Sequence, residues 1–286
     1  MVSMARFDTA TSVTALGPGR YSADLDPGYL IGQAMNGGYV MAVLQRAALC
    51  ESPHLHAVAS SFHFLRPGAA GPADIDATVL KAGRTVATVQ VGISQGGQTL
   101  VTGTIATATL DRDTTPTYET PPAAVPPIDR CRRYDPRARR TSGSPFPERI
   151  DQYLARDTWD LLRRRGAEAG DIGENREDKD GDAPAPDLRG YVRLSEADGG
   201  LGSDPCLVLP LAVDAPPSVI TVFGPRSWAP TVELTWHMRA IPEPGPLAFR
   251  ARTNAVVDGW FDETLDLWDV TGRLVAQSRQ LARRGR

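Results

Sequence analysis

The chain of 286 residues is 41% hydrophobic and 23% charged, enough apolar content to bury a sizeable core and too much for wholesale disorder. Its 31 Lys and Arg against 34 Asp and Glu leave a formal charge of −3, which supplies no electrostatic drive toward nucleic acid or an anionic membrane. Cys50, Cys131 and Cys206 are odd in number and widely spaced, fitting neither a disulfide framework nor a zinc site, and the longest apolar run, Tyr39 to Leu44, is too short to span a bilayer. No apolar leader follows Met1, so the expectation is a cytoplasmic protein with reduced cysteines, no metal and no membrane insertion.

In chain order, residues 20–32 read as an extended entry, and Asn36-Gly37-Gly38 opens a helix running to about Cys50. Its Val40, Val43, Leu44 and Ala47 recur at i, i+3, i+4 and i+7, predicting one buried face. Four runs rich in Val, Ile and Thr, at 57–65, 73–82, 85–94 and 99–110, predict an antiparallel sheet, with Gln95-Gly96-Gly97-Gln98 as a hairpin turn. Seven prolines among Thr, Asp and Arg between about 111 and 145 read as an extended linker. The stretch from Arg163 to Pro186 is almost without apolar residues and predicts a mobile surface insertion, because burial there cannot offset the ordering entropy.

The first pattern then returns. Asp204-Pro205 supplies an N-cap and a proline at the first helical position, a helix is predicted through Val213, and Pro216-Pro217 stops it. Strands are predicted at 231–239, 246–256, 260–268 and 273–282. Phe62-His63-Phe64-Leu65 and Trp236-His237-Met238-Arg239 lie 174 residues apart, the mark of an internal duplication. The prediction is an α+β pseudo-dimer, each repeat a helix wrapped by an antiparallel sheet: residues 1–112, a linker at 113–145, and residues 146–286 carrying an insertion at about 163–187.

Asn36-Gly37-Gly38-Tyr39-Val40 and Ser61-Phe62-His63-Phe64-Leu65-Arg66-Pro67-Gly68, with Asp214-Ala215-Pro216-Pro217, Pro230-Thr231 and the block from Leu267 to Ala276, resemble the double-hotdog acyl-CoA thioesterases of the type II thioesterase family. That resemblance implies a double hotdog and hydrolysis of fatty acyl-CoA to free acid and coenzyme A, a step of lipid metabolism that needs no cofactor. It further implies a water held by an Asp, a Thr and a Gln, which fall on Asp214, Thr231 and Gln280. A homodimer or higher homo-oligomer is expected on the same ground. At the repeat offset the counterparts of Thr231 and Gln280 are Ala57 and Ala106, so only the second repeat is expected to work.

The residues themselves support this unevenly. Asp214 follows Leu207 by seven and Leu211 by three, on a leucine-lined face near a helix C-terminus, where burial and the negative dipole end would both raise its pKa toward that of a general base; the same carboxylate would also serve as a plain cap. Gln280 alternates with Ala276 and Ser278 on the less charged side of its strand, whereas strict alternation puts Thr231 with Glu233 and His237 on the polar side unless a bulge re-aims it. Gly37 and Gly38 at a helix start are candidates to hold a substrate carbonyl or oxyanion, or simply to allow tight packing. His63 and His237, at matching places in the repeats, read as packing residues. Gly92-Ile93-Ser94-Gln95-Gly96 fits the nucleophile-elbow pattern, but β-rich runs flank it where a strand-to-helix turn is required. No histidine follows an Asp at the five-residue spacing expected of hydratases of the hotdog type. The alternative to a hydrolase is a catalytically silent acyl-CoA binding or regulatory protein with the same fold.

Overall fold

A computed structural model describes residues 5–134, 144–168, 185–223 and 229–284. The first half contains α1 (Arg6–Ala10), β1 (Thr14–Gly17), β2 (Arg20–Leu25), β3 (Leu30–Ile31), β4 (Ala34–Met35), α2 (Gly37–Cys50), β5 (His56–Phe64), β6 (Gly71–Lys81), β7 (Ala87–Gln95) and β8 (Gln98–Ala108). The second contains β9 (Arg132–Tyr134), β10 (Ile150–Leu154), α3 (Arg156–Glu168), β11 (Asp187–Leu194), α4 (Pro205–Ala212), β12 (Thr231–Met238), β13 (Leu247–Arg252), β14 (Val256–Val257), β15 (Trp260–Trp268) and β16 (Leu274–Arg283). Part of the Pro-rich segment thus forms β9, paired with β10 at the sheet edge. Of the stretch read as an insertion, residues 163–168 end α3, and 169–184 lie outside the described residues.

One antiparallel sheet runs β1-β2-β6-β7-β8-β5-β12-β16-β15-β13-β11-β10-β9. Its two inner halves, β2-β6-β7-β8-β5 and β11-β13-β15-β16-β12, repeat the same order and the same connectivity, with α2 or α4 between the first strand and the second. They join where β5 pairs antiparallel with β12, Ser61 facing Thr235, its own counterpart at the 174 offset. Each of these strands is bulged at the equivalent point, between Ala57 and Ala59 and between Thr231 and Glu233. A bulge conserved through a duplication keeps re-aiming the residue before it.

The register corrects one expectation. Glu263 pairs with Gln280 as Val89 pairs with Ile105, and one more residue separates the first pair than the second. The counterpart of Gln280 is therefore Ile105, offset by 175, and Ala106 points to the opposite face. The reading of the first repeat as unequipped still holds, since Ala57, Val89 and Ile105 are all buried and apolar.

Helix α2 is capped by Asn36, whose Oδ1 accepts from the Tyr39 amide at 2.9 Å. Instead of one buried face it is buried almost all round, since β5 to β8 wrap it and α4 packs on its remaining side. α4 is capped by Asp204 through the Cys206 amide, starts at Pro205 and ends at Ala212. His63 and His237 are exposed on the outer face of the sheet, so the packing role expected of them is absent. Among the described residues no helix is long and apolar enough to cross a membrane.

The tightest helix contact is at Gly38. A Cβ there would lie 2.6 Å from the Pro210 carbonyl oxygen and 2.8 Å from the Leu211 Cα, both backbone atoms that cannot swing aside. Gly38→Ala is expected to destabilise the fold by about 1 to 3 kcal/mol, seen as a lower urea midpoint with an unchanged slope.

Candidate active site

Asp214 sits just past the C-terminus of α4, in a turn held by its own amide to Leu211 O at 3.2 Å and by Gln152 Nε2 donating to Ala215 O at 2.7 Å. Its Oδ2 accepts from the Gly38 amide at 2.8 Å and from Asn36 Nδ2 at 2.9 Å. Asn36 therefore works in both directions, capping α2 with its oxygen and orienting the carboxylate with its nitrogen. Burial raises the Asp214 pKa to about 6, against the opposing pull of Gly38, Asn36 and Gly37.

Two expectations change here. Asp214 follows the C-terminus of α4 as expected but also faces the positive N-terminus of α2, which favours its charge; desolvation is the cause that raises its pKa. The Gly38 amide, read as a candidate for a substrate carbonyl or oxyanion, is committed to Asp214. Gly37 leaves little room for a ligand either: a Cβ on it would lie 2.9 Å from the Phe64 ring and 3.1 Å from Asp214 Oδ2.

Thr231 and Gln280 are brought together. The bulge at Val232 turns Thr231 to the side of Leu234 and Trp236, and its hydroxyl donates to Gln280 Oε1 at 2.7 Å. Gln280 lies on the buried face of β16, 8% exposed, as its alternation with Ala276 and Ser278 predicts.

Beside them is a residue that the sequence reading did not select. Glu263 on β15 is 4% exposed, pairs with Gln280 across the strands, and accepts from Gln280 Nε2 at 3.0 Å. Its Oε2 accepts from the Val219 amide at 2.7 Å and the Ser218 hydroxyl at 3.0 Å. Burial pushes its pKa up to about 7, and the charge of Asp214 adds to the rise. The signal was present: Phe261, Glu263, Leu265 and Leu267 form one period-2 stripe, an acid among apolar side chains that face the core. The site thus combines a half-buried and a buried carboxyl group, Asp214 and Glu263, with a hydrogen-bonded hydroxyl and amide.

Comparison with known proteins places this arrangement. Residues 25–111 match the acyl-CoA thioesterase N-terminal domain, and residues 112–283 match the acyl-CoA thioesterase C-terminal domain. A Thermobifida fusca protein described as a putative thioesterase II is 55% identical, and the two chains cover each other completely with a TM-score of 0.88. A protein of Alicyclobacillus acidocaldarius with a hot dog fold superimposes with a TM-score of 0.77 at 19% identity, over 99% of both chains. An uncharacterized protein of Mycobacterium tuberculosis H37Rv is 26% identical over 92% of this chain and 90% of its own. With both thioesterase domains present in order and the duplicated sheet intact, the chain belongs to the acyl-CoA thioesterase family and has the α+β double-hotdog fold.

Proposed function

We propose that the protein hydrolyses acyl-CoA thioesters to a free acid and coenzyme A, with Asp214 as general base and Thr231 and Gln280 holding the attacking water. The observation that carries this reading is the Thr231–Gln280 hydrogen bond in a site with a half-buried carboxylate whose pKa is raised to about 6. Such a carboxylate is ionised at neutral pH yet more basic than an exposed aspartate.

In this mechanism water attacks the thioester carbon and gives its proton to Asp214. The tetrahedral intermediate collapses with cleavage of the C–S bond, and the departing sulfur takes the proton back from Asp214. Thiols have pKa values near about 8.5, so the leaving group needs little acid assistance and no metal or cofactor enters the scheme. The hydrogen bonds from Gly38 and Asn36 both fall on Oδ2, which favours Oδ1 as the oxygen that takes the proton. The residues at the equivalent place in the first repeat, Ala57, Val89 and Ile105, offer no polar atom beyond the backbone, so one site per chain follows.

Release of free thiol from acyl-CoAs of graded chain length tests the reading. Turnover is expected to rise with pH through about 6 as Asp214 ionises, and Asp214→Asn should remove that limb with a loss of orders of magnitude in kcat. Gln280→Ala should lower kcat by about 10² to 10³. Binding of every acyl-CoA without turnover of any would overturn hydrolysis in favour of a silent acyl-CoA binder.

A further inference from the structure

We propose that Glu263 is a positioning residue that fixes which way the Gln280 amide points, and thereby which hydrogen-bonding roles Thr231 and Gln280 present to the reacting water. The proposal deepens the hydrolase reading, since the water is part of that reading.

The argument is one of donors and acceptors. Glu263 Oε2 faces two donors, the Val219 amide and the Ser218 hydroxyl, and Oε1 faces Gln280. Above about pH 7, where Glu263 is ionised, its carboxylate can only accept, so Gln280 turns its NH2 toward Glu263. Its carbonyl oxygen then faces Thr231, and the threonine hydroxyl must donate to it, as the 2.7 Å contact requires. The consequence reaches the open side of the site. With its proton committed, Thr231 Oγ1 is left as an acceptor, and Gln280 keeps one N–H as a donor. A water that gives one proton to Asp214 and the other hydrogen bond to Thr231 then has a lone pair directed at the thioester carbon. Turning the amide over would put two oxygens face to face at 3.0 Å and reverse every one of these roles.

Glu263 is otherwise a costly residue to keep. It is buried on an apolar strand face where Val89 occupies the matching place in the repeat that lacks the site. Its hydrogen bonds to Val219 and Ser218 anchor the segment after Pro217 but occupy Oε2 alone; Oε1 is spent on Gln280, and a carboxylate oxygen that orients that amide is expected only where Gln280 exists.

The test is Glu263→Gln, which is close to isosteric. Its carbonyl will keep the Val219 and Ser218 hydrogen bonds, so its NH2 meets Gln280 and forces the amide to flip. We expect kcat to fall roughly 10- to 100-fold with KM changed less than about twofold. In a Gln280→Ala background the same change should cost nothing further, because Glu263 then has no amide to orient. An independent readout is the side-chain amide ¹H–¹⁵N pair of Gln280, identified by its loss in Gln280→Ala. In the wild type it should shift as Glu263 titrates near about 7, with Asp214 the charged group bearing on that titration, and Glu263→Gln should abolish the shift. Wild-type kcat in Glu263→Gln, an equal loss in the Gln280→Ala background, or an amide signal indifferent to Glu263 would each overturn the proposal. Absence of turnover in every protein, with the amide signal still governed by Glu263, would sink the hydrolase reading and leave the positioning role standing.

Discussion

The site depends on the approach of two backbones, the N-terminus of α2 and the last turn of α4, to within contact at Gly38. Only a residue without a Cβ lets the Pro210 carbonyl and Leu211 come this close. That approach carries Asp214 onto the free amide end of α2, where the Gly38 N–H and the Asn36 side chain hold it. Asp214 belongs to one repeat and the groups that orient it belong to the other, 176 and 178 residues away. The position of Asp214, the proposed general base, is thus set by the packing of the two repeats on each other, and the same helix contact holds the repeats together beneath the sheet.

Duplication has produced a symmetric scaffold with an asymmetric interior. Strand order, connectivity and the bulges at Val58 of β5 and Val232 of β12 are preserved, because each is needed to wrap a helix. Side chains facing the core were free to diverge provided the volume stayed filled. In one repeat Ala57, Val89 and Ile105 fill it with hydrocarbon, and in the other Thr231, Glu263 and Gln280 fill it with a hydrogen-bonded chain. A chain of this kind is tolerable in a core because its internal donors meet acceptors.

The two acids with raised pKa values, Asp214 and Glu263, tie function to stability. Each has a pKa raised by burial, so the folded state holds its proton more tightly than the unfolded chain does. For Glu263 that contribution to stability is complete below its unfolded value of about 4.5 and is lost as pH rises through about 7. Near neutrality the fold therefore carries charges it would be more stable without, and a water-activating base is the chemistry that makes use of such a charge.

Periodicity and spacing alone made the duplicated helix-and-sheet plan legible: the 3.6-residue pattern of Val40 to Ala47, the period-2 strands, the caps at Asn36 and Asp204, and the 174-residue offset are local properties of the chain. Asp214, Thr231 and Gln280 were singled out by the family resemblance, and the apolar neighbours of Asp214 and Gln280 supported two of them; Glu263 met the same local criterion but was hidden by the acids around it, Asp262 and Asp266. What no local pattern could give was contact. Thr231 faces Gln280 only because a bulge breaks the alternation, the Asp214 carboxylate is held by the start of a helix 176 residues upstream, and Ile105 rather than Ala106 matches Gln280 because one more residue separates Glu263 from Gln280 than separates Val89 from Ile105. A sequence fixes which side chains are available and the period on which they recur; register and the distance between segments remote in the chain are decided only when the repeats pack, since every inter-strand and inter-helix contact closes a loop whose geometry depends on all the others.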